Sequence, residues 1–89
     1  MALQAIDGYR TAGKHIEFIH EGTAEDGTKW FNVYSLQGGF WLGEVSWYGD
    51  WKQYVFYPER DTVESPSCLR DIADFCEMQT KKVVEGKKP

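Results

Sequence analysis

Cysteine is scarce in this chain, and its two copies are badly placed for a bridge. Cys68 and Cys76 lie eight residues apart in a stretch with helical spacing. That separates their backbones by roughly 12 Å, too far for a disulfide. With no CxxC pair and no histidine nearby, no zinc site is expected. Reduced, packed thiols fit a reducing compartment. Long apolar runs are also missing, so no segment reads as a membrane-spanning helix. The opening Met-Ala-Leu-Gln-Ala-Ile-Asp lacks the basic start and apolar stretch of a secretory signal. The expected location is therefore cytoplasmic, without membrane contact. No glycine-rich loop of the P-loop or dinucleotide type occurs, and no cofactor is expected.

Positive charge is short as well. Ten Lys and Arg face 14 Asp and Glu, a formal net charge of −4. Four of the lysines, Lys81, Lys82, Lys87 and Lys88, sit in the last nine residues. Residues 1–80 hold 6 basic and 13 acidic residues, a net of −7. A body that acidic is poorly suited to tracking a phosphate backbone.

Aromatic residues, by contrast, make up 16% of only 89 residues. Large rings help a small core bury enough area. They concentrate between Phe40 and Pro58, where two apolar runs flank Gly49-Asp50. A Gly-first pair in that setting reads as a two-residue hairpin turn. Tyr48 then opposes Trp51, Val45 opposes Tyr54, and Gly43 opposes Phe56. Cross-strand partners share a face. One face would carry Trp41, Val45, Trp47, Tyr54 and Phe56, and belongs against a core. The other would carry Leu42, Glu44, Ser46, Tyr48, Trp51, Gln53, Val55 and Tyr57. A flat surface of rings dotted with polar groups is what partners use. Aromatic residues are also ordinary strand formers, so each ring has strand pairing as its alternative use. A one-residue slip of the turn would exchange the two faces.

The rest of the chain builds around this hairpin. His15 to His20 alternates like a strand, and Lys29 to Leu36 reads as the next. The loop Glu21 to Thr28 joins them, and Gln37-Gly38-Gly39 leads into the hairpin. Residues 1–14 read as a weakly ordered lead-in or a short edge strand. Ser65-Pro66 announces a helix, with Ser as N-cap and Pro at the first helical position. Leu69, Ile72, Ala73 and Cys76 recur at helical spacing, with Phe75 and Cys68 beside them. The predicted fold is α+β: a four-stranded antiparallel meander with one C-terminal helix on one face, spanning residues 1–80, and a flexible basic tail at 81–89. The second sheet face is left open. An open aromatic face on so small a chain is a liability, so a homo-oligomer is expected.

Candidate chemistry is thin. His15 and His20 fall on opposite faces of a regular strand and do not share an ion easily. His20 with Glu21, Glu25 and Asp26 would make only a loose cation site, and no metal is expected. Cys68 sits near the helix N-terminus, which favours a thiolate. Glu44, set among aromatics, suits binding better than acid–base work. Lys52, Arg60 and Arg70 are scattered in sequence but can converge at the corner between strand four and the helix. With stacking from Trp51 or Tyr54 they would suit a nucleotide, since a stacked base is worth roughly 1–3 kcal/mol and Arg forks phosphate oxygens. The candidate ligand-binding set is therefore Trp51, Lys52, Tyr54, Glu44, Tyr48, Arg60 and Arg70, with no catalytic residue.

The run from Leu42 to Glu59, followed by Cys68-Leu-Arg-Asp-Ile-Ala-Asp-Phe, resembles short proteins of tailed phages and prophages. Their pattern is Trp-Tyr, then Trp-basic-x-Tyr-x-Phe-x-Pro, then a helix opening Cys-Leu-x-Asp-Ile. Lys52 holds the basic position. The likeness covers residues 40–78 and brings no known activity with it. It implies a setting, in which small accessory proteins act by occupying something in the host cytosol. The leading expectation is a non-catalytic binding protein that sequesters a nucleotide-like molecule or blocks a host defence protein. The alternatives are a single-stranded nucleic-acid-binding module using Trp51, Lys52, Tyr54, Arg60 and the Lys tail, and a small enzyme using Glu44, His15, His20 or Cys68.

Overall fold

A computed structural model describes residues 15–86, together with the backbone of two short strands at 4–6 and 10–12. The chain runs β1 (Gln4–Ile6), β2 (Arg10–Ala12), β3 (Ile16–Thr23), β4 (Lys29–Ser35), β5 (Trp41–Tyr48), β6 (Gln53–Pro58) and α1 (Pro66–Gly86). All six strands form one antiparallel sheet in sequential order. The fold is α+β, and the expected four-stranded meander is β3 to β6. A short hairpin, β1–β2, extends it from part of the sequence read as a lead-in.

Binary patterning accounts for the core. On β4, Phe31 and Val33 alternate with Trp30, Asn32 and Tyr34. Phe31 and Val33 join Ile16, Phe18, Val45 and Tyr54 on one side of the sheet, all buried. α1 covers that side with Ile72, Phe75 and Cys76. Phe75 is the key of the joint. Its ring lies parallel to Phe18 at 3.9 Å between centroids, and meets Phe31 edge-on at 4.8 Å. The helix starts as its sequence predicts, with the Cys68 N–H donating to Ser65 Oγ at 3.2 Å. Its buried stripe is rotated from the expected one. Leu69 and Ala73 face solvent, and Phe75 and Gln79 take their place inside. The helix also continues through Lys81 and Lys82 to Gly86, so the boundary expected at residue 80 falls inside it. Residues 87–89 of the expected tail lie outside the described residues.

Sheet edges are templates for unwanted pairing unless something blunts them. α1 does this for β6. The Tyr54 backbone N–H donates to Thr80 Oγ1 at 2.8 Å, and that hydroxyl donates to the Cys76 carbonyl at 2.8 Å. Replacing Thr80 by valine keeps the shape but strands the Tyr54 N–H. The expected loss is about 1–3 kcal/mol of stability, read from urea denaturation. An unchanged midpoint would mean that the edge needs no such partner.

The hairpin departs from its expected register in two places. The β5–β6 turn is longer than the predicted Gly49-Asp50 pair. Tyr48 opposes Gln53 and Trp47 opposes Tyr54, leaving Gly49 to Lys52 in the loop. The Lys52 N–H donates to the Tyr48 carbonyl at 2.9 Å, and Lys52 takes a left-handed φ of 54°. Four-residue loops built on a tight turn are a standard hairpin solution. Because the loop grew by two residues, the face assignments survive.

The second departure does exchange faces. Between β4 and β5 the pairing steps from Val33↔Gly43 to Tyr34↔Trp41, so Leu42 is an extra residue on β5. Gly43 makes the bulge possible. Its φ of 146° is open to glycine almost alone. A Cβ there would run into the Tyr57 carbonyl oxygen and the Phe56 ring. Leu42 therefore turns into the core, and Trp41 turns out onto the open face. The sequence pattern had placed each of them on the opposite side.

Candidate functional site

The open face of the sheet is built in cross-strand rows. One row runs Ile19, Asn32, Glu44, Tyr57 across β3 to β6. A second runs Gly22, Trp30, Ser46, Val55. A third, beyond the bulge, runs Glu17, Tyr34, Trp41. Residues opposite each other across a strand pair have Cβ atoms about 4.5–5.5 Å apart. Polar Asn32 and Glu44 thus sit on the floor, framed by aromatic rings. Trp30, Trp41 and Tyr57 are exposed by 38%, 42% and 45%, while Glu44 and Tyr34 are half-buried.

Two contacts hold this surface in shape. The Trp41 indole N–H donates to Asn32 Oδ1 at 3.0 Å, which fixes the ring across the bulge. The Trp30 ring lies against Gly22, where any side chain would collide with it. At the far end, Tyr48 and Trp51 meet edge-on at 4.9 Å, carrying the aromatic band to the hairpin tip. Near the other end, Trp41 also lines a groove of about 330 Å³ with Phe40, Leu42, Thr62 and Val63. Phe40 and Val63 are strongly exposed there.

Charge on the face is mixed at its β2 edge, where Arg10 stands opposite Ile19 in the row of Asn32 and Glu44. Among the described residues of β3 to β6, the open side carries Glu17 and Glu44 and no lysine or arginine. Glu44 has Asn32 and Tyr57 as cross-strand neighbours, and its carboxylate has no ion pair or hydrogen bond among the described residues.

Of the residues singled out from sequence, Glu44 and Tyr48 lie on the open face as expected. Trp51 belongs to the turn rather than to a strand, yet it adds its ring to the band. Tyr54 lies apart from the others: it is buried on the helix side of the sheet, edging the groove beside Ala73 and Thr80 rather than the open face. Its hydroxyl accepts the Lys29 N–H at 2.9 Å, and burial pushes its pKa up. Convergence of the three cations also fails. Lys52 precedes β6 and Arg60 follows it, so the six-residue strand, roughly 20 Å long, lies between them. Arg70 is exposed on α1. The sequence reading missed Trp30, Asn32, Tyr34 and Trp41. The alternation in β4 held the signal for the first three, but only pairing β4 onto β5 shows that it matters.

The other candidates are occupied structurally. His20 packs toward Phe31 on the core side, and its Nε2–H donates to the Gly22 carbonyl at 2.9 Å. The Asp26 carboxylate accepts from the Thr28 N–H and Oγ1–H within its own turn. No group of three or more metal-ligating side chains occurs among the described residues. Cys76 is buried and its thiol is pushed up to about 11 by desolvation, whereas Cys68 is half-buried. No described helix is long and apolar enough to cross a membrane.

Comparison with family models, with curated proteins and with solved structures found no match.

Proposed function

We propose that this chain is a non-catalytic binding protein that grips a partner protein with the aromatic open face of its sheet. The observation that carries the reading is Trp41. A bulge built on Gly43 turns it out of the core, and Asn32 then holds its indole in place. A large ring kept half-exposed at the expense of a regular strand favours contact over packing. The face measures roughly 15–20 Å by 20–25 Å from strand spacing and rise. With the adjoining groove, that suits a peptide or a protein surface better than one small molecule.

Charge argues in the same direction. A nucleotide-like ligand or a single nucleic-acid strand needs cations beside the stacking rings. Within β3 to β6 the open side of the sheet offers no lysine or arginine beside its rings, and Arg10 of β2 stands three strands from Glu44. A second copy packed about a two-fold axis near the centre of the face would bring the two Glu44 carboxylates together, which opposes pairing. A host protein is therefore the better-fitting target, consistent with the phage-type resemblance of residues 40–78.

Selection of peptides from a displayed random library tests this. Wild-type protein should enrich sequences whose binding falls at least tenfold on Trp41→Ala or Tyr57→Ala protein, both still folded by circular dichroism. Enriched peptides that bind all three proteins equally would overturn the proposal.

A further inference from the structure

We infer that the open face recognises an arginine side chain, with Glu44 as the ion-pair partner of its guanidinium. The inference rests on the reading of that face as a binding surface and names the group it reads. Three observations meet at one place. Glu44 is a half-buried carboxylate in the middle of the sheet, flanked across the strands by Asn32 and Tyr57 rather than by a cation. Aromatic rings frame it, with Tyr57 directly opposite and Trp30 and Tyr34 two residues either side of Asn32. Trp41 and Asn32 are locked to each other at 3.0 Å, so this part of the frame is set before anything arrives.

Those groups match one side chain best. A guanidinium is planar and weakly hydrated, stacks on aromatic faces, and meets a carboxylate with two parallel N–H donors. Lysine offers a compact, strongly hydrated charge that gains less from flat rings. A neutral residue leaves Glu44 covered and unpaired, which costs more than leaving it in water. The half-buried floor shields the pair from solvent, and salt screens a shielded pair less than an exposed one. Neighbouring apolar residues of the same partner would fill the groove between Phe40 and Val63.

The probe is a capped tetra-arginine peptide, with tetra-lysine and tetra-citrulline as comparators. Binding is followed through the indole N–H resonance of Trp41 in a ¹⁵N-labelled protein. Tetra-arginine should shift that resonance saturably, tetra-lysine should bind at least fivefold more weakly, and the uncharged citrulline peptide should leave it unmoved. Glu44→Gln should weaken tetra-arginine at least tenfold. Glu77→Gln, on the exposed side of α1, should change it less than twofold, because it alters only the overall charge. If Glu44→Gln and Glu77→Gln weaken binding alike, or citrulline binds like arginine, the arginine assignment is wrong. If, in addition, peptides selected on the protein bind Trp41→Ala protein undiminished, the face itself is not the site. The two failures are thus separable.

Discussion

Phe75→Ala is expected to cost about 3–5 kcal/mol of stability, the range for removing a buried aromatic ring from a packed core. Phe75 is fully buried and touches two strands at once, stacking on Phe18 of β3 and meeting Phe31 of β4 edge-on. Aromatic pairs of this kind add about 0.5–1.5 kcal/mol beyond the area they bury. A domain of this size has about 5–15 kcal/mol in total, and the variant should unfold at a much lower urea concentration or fail to fold at 37 °C. Phe75→Leu, which refills most of the volume, should recover a large part of the loss. A Phe75→Ala protein that melts with the wild type would mean that the helix is not what closes the core.

Gly43→Ala is expected to be nearly as damaging, through the backbone rather than the core. A non-glycine residue held at that φ costs about 1–3 kcal/mol, and its Cβ meets the Tyr57 carbonyl and the Phe56 ring besides. Relief would come from straightening β5 into a regular ladder. That would carry Trp41 back toward the helix side and Leu42 out to solvent, by the alternation of a strand. The variant should therefore show two changes together: a loss on the order of 3 kcal/mol, and disappearance of the resolved Trp41 indole N–H signal that its bond to Asn32 provides. Stability lost with that signal intact would show that the bulge survives the substitution. Neither change would show that Gly43 is dispensable.

These two residues also mark where reading the sequence succeeded and failed. Alternation marked His15 to His20 as a strand with Ile16 and Phe18 on one side without any coordinates, because period-two patterning is a local property of an extended chain. Ser65-Pro66 announced the helix for an equally local reason, since an N-cap acts on the next turn. The hairpin turn was misjudged by two residues, and the faces held because two is the period of the strand. The bulge shifted one residue, and both Leu42 and Trp41 changed sides. Nothing in Trp-Leu-Gly-Glu distinguishes a bulged glycine from a small residue on the core face. The distinction lies in how β5 must curve to pair with β4 and β6 together.

The same contrast separates the site residues. Tyr54 looked like a stacking platform because it is aromatic and two residues from Lys52, yet its position on β6 places it under α1 with its hydroxyl accepting the Lys29 backbone N–H. Lys52, Arg60 and Arg70 looked able to converge because sequence distance says little about direction. An extended β6 drives the first two apart.

What the amino-acid order determined alone was local: which segments extend, where the helix begins, that rings exceed what one helix can cover, and that the body is acidic. Tertiary structure decided which rings remain outside. That choice depends on strand register and on one glycine conformation, both set by contacts between segments far apart in the chain. Period-two patterning says that a strand has two faces, and only the neighbouring strands say which one meets the helix.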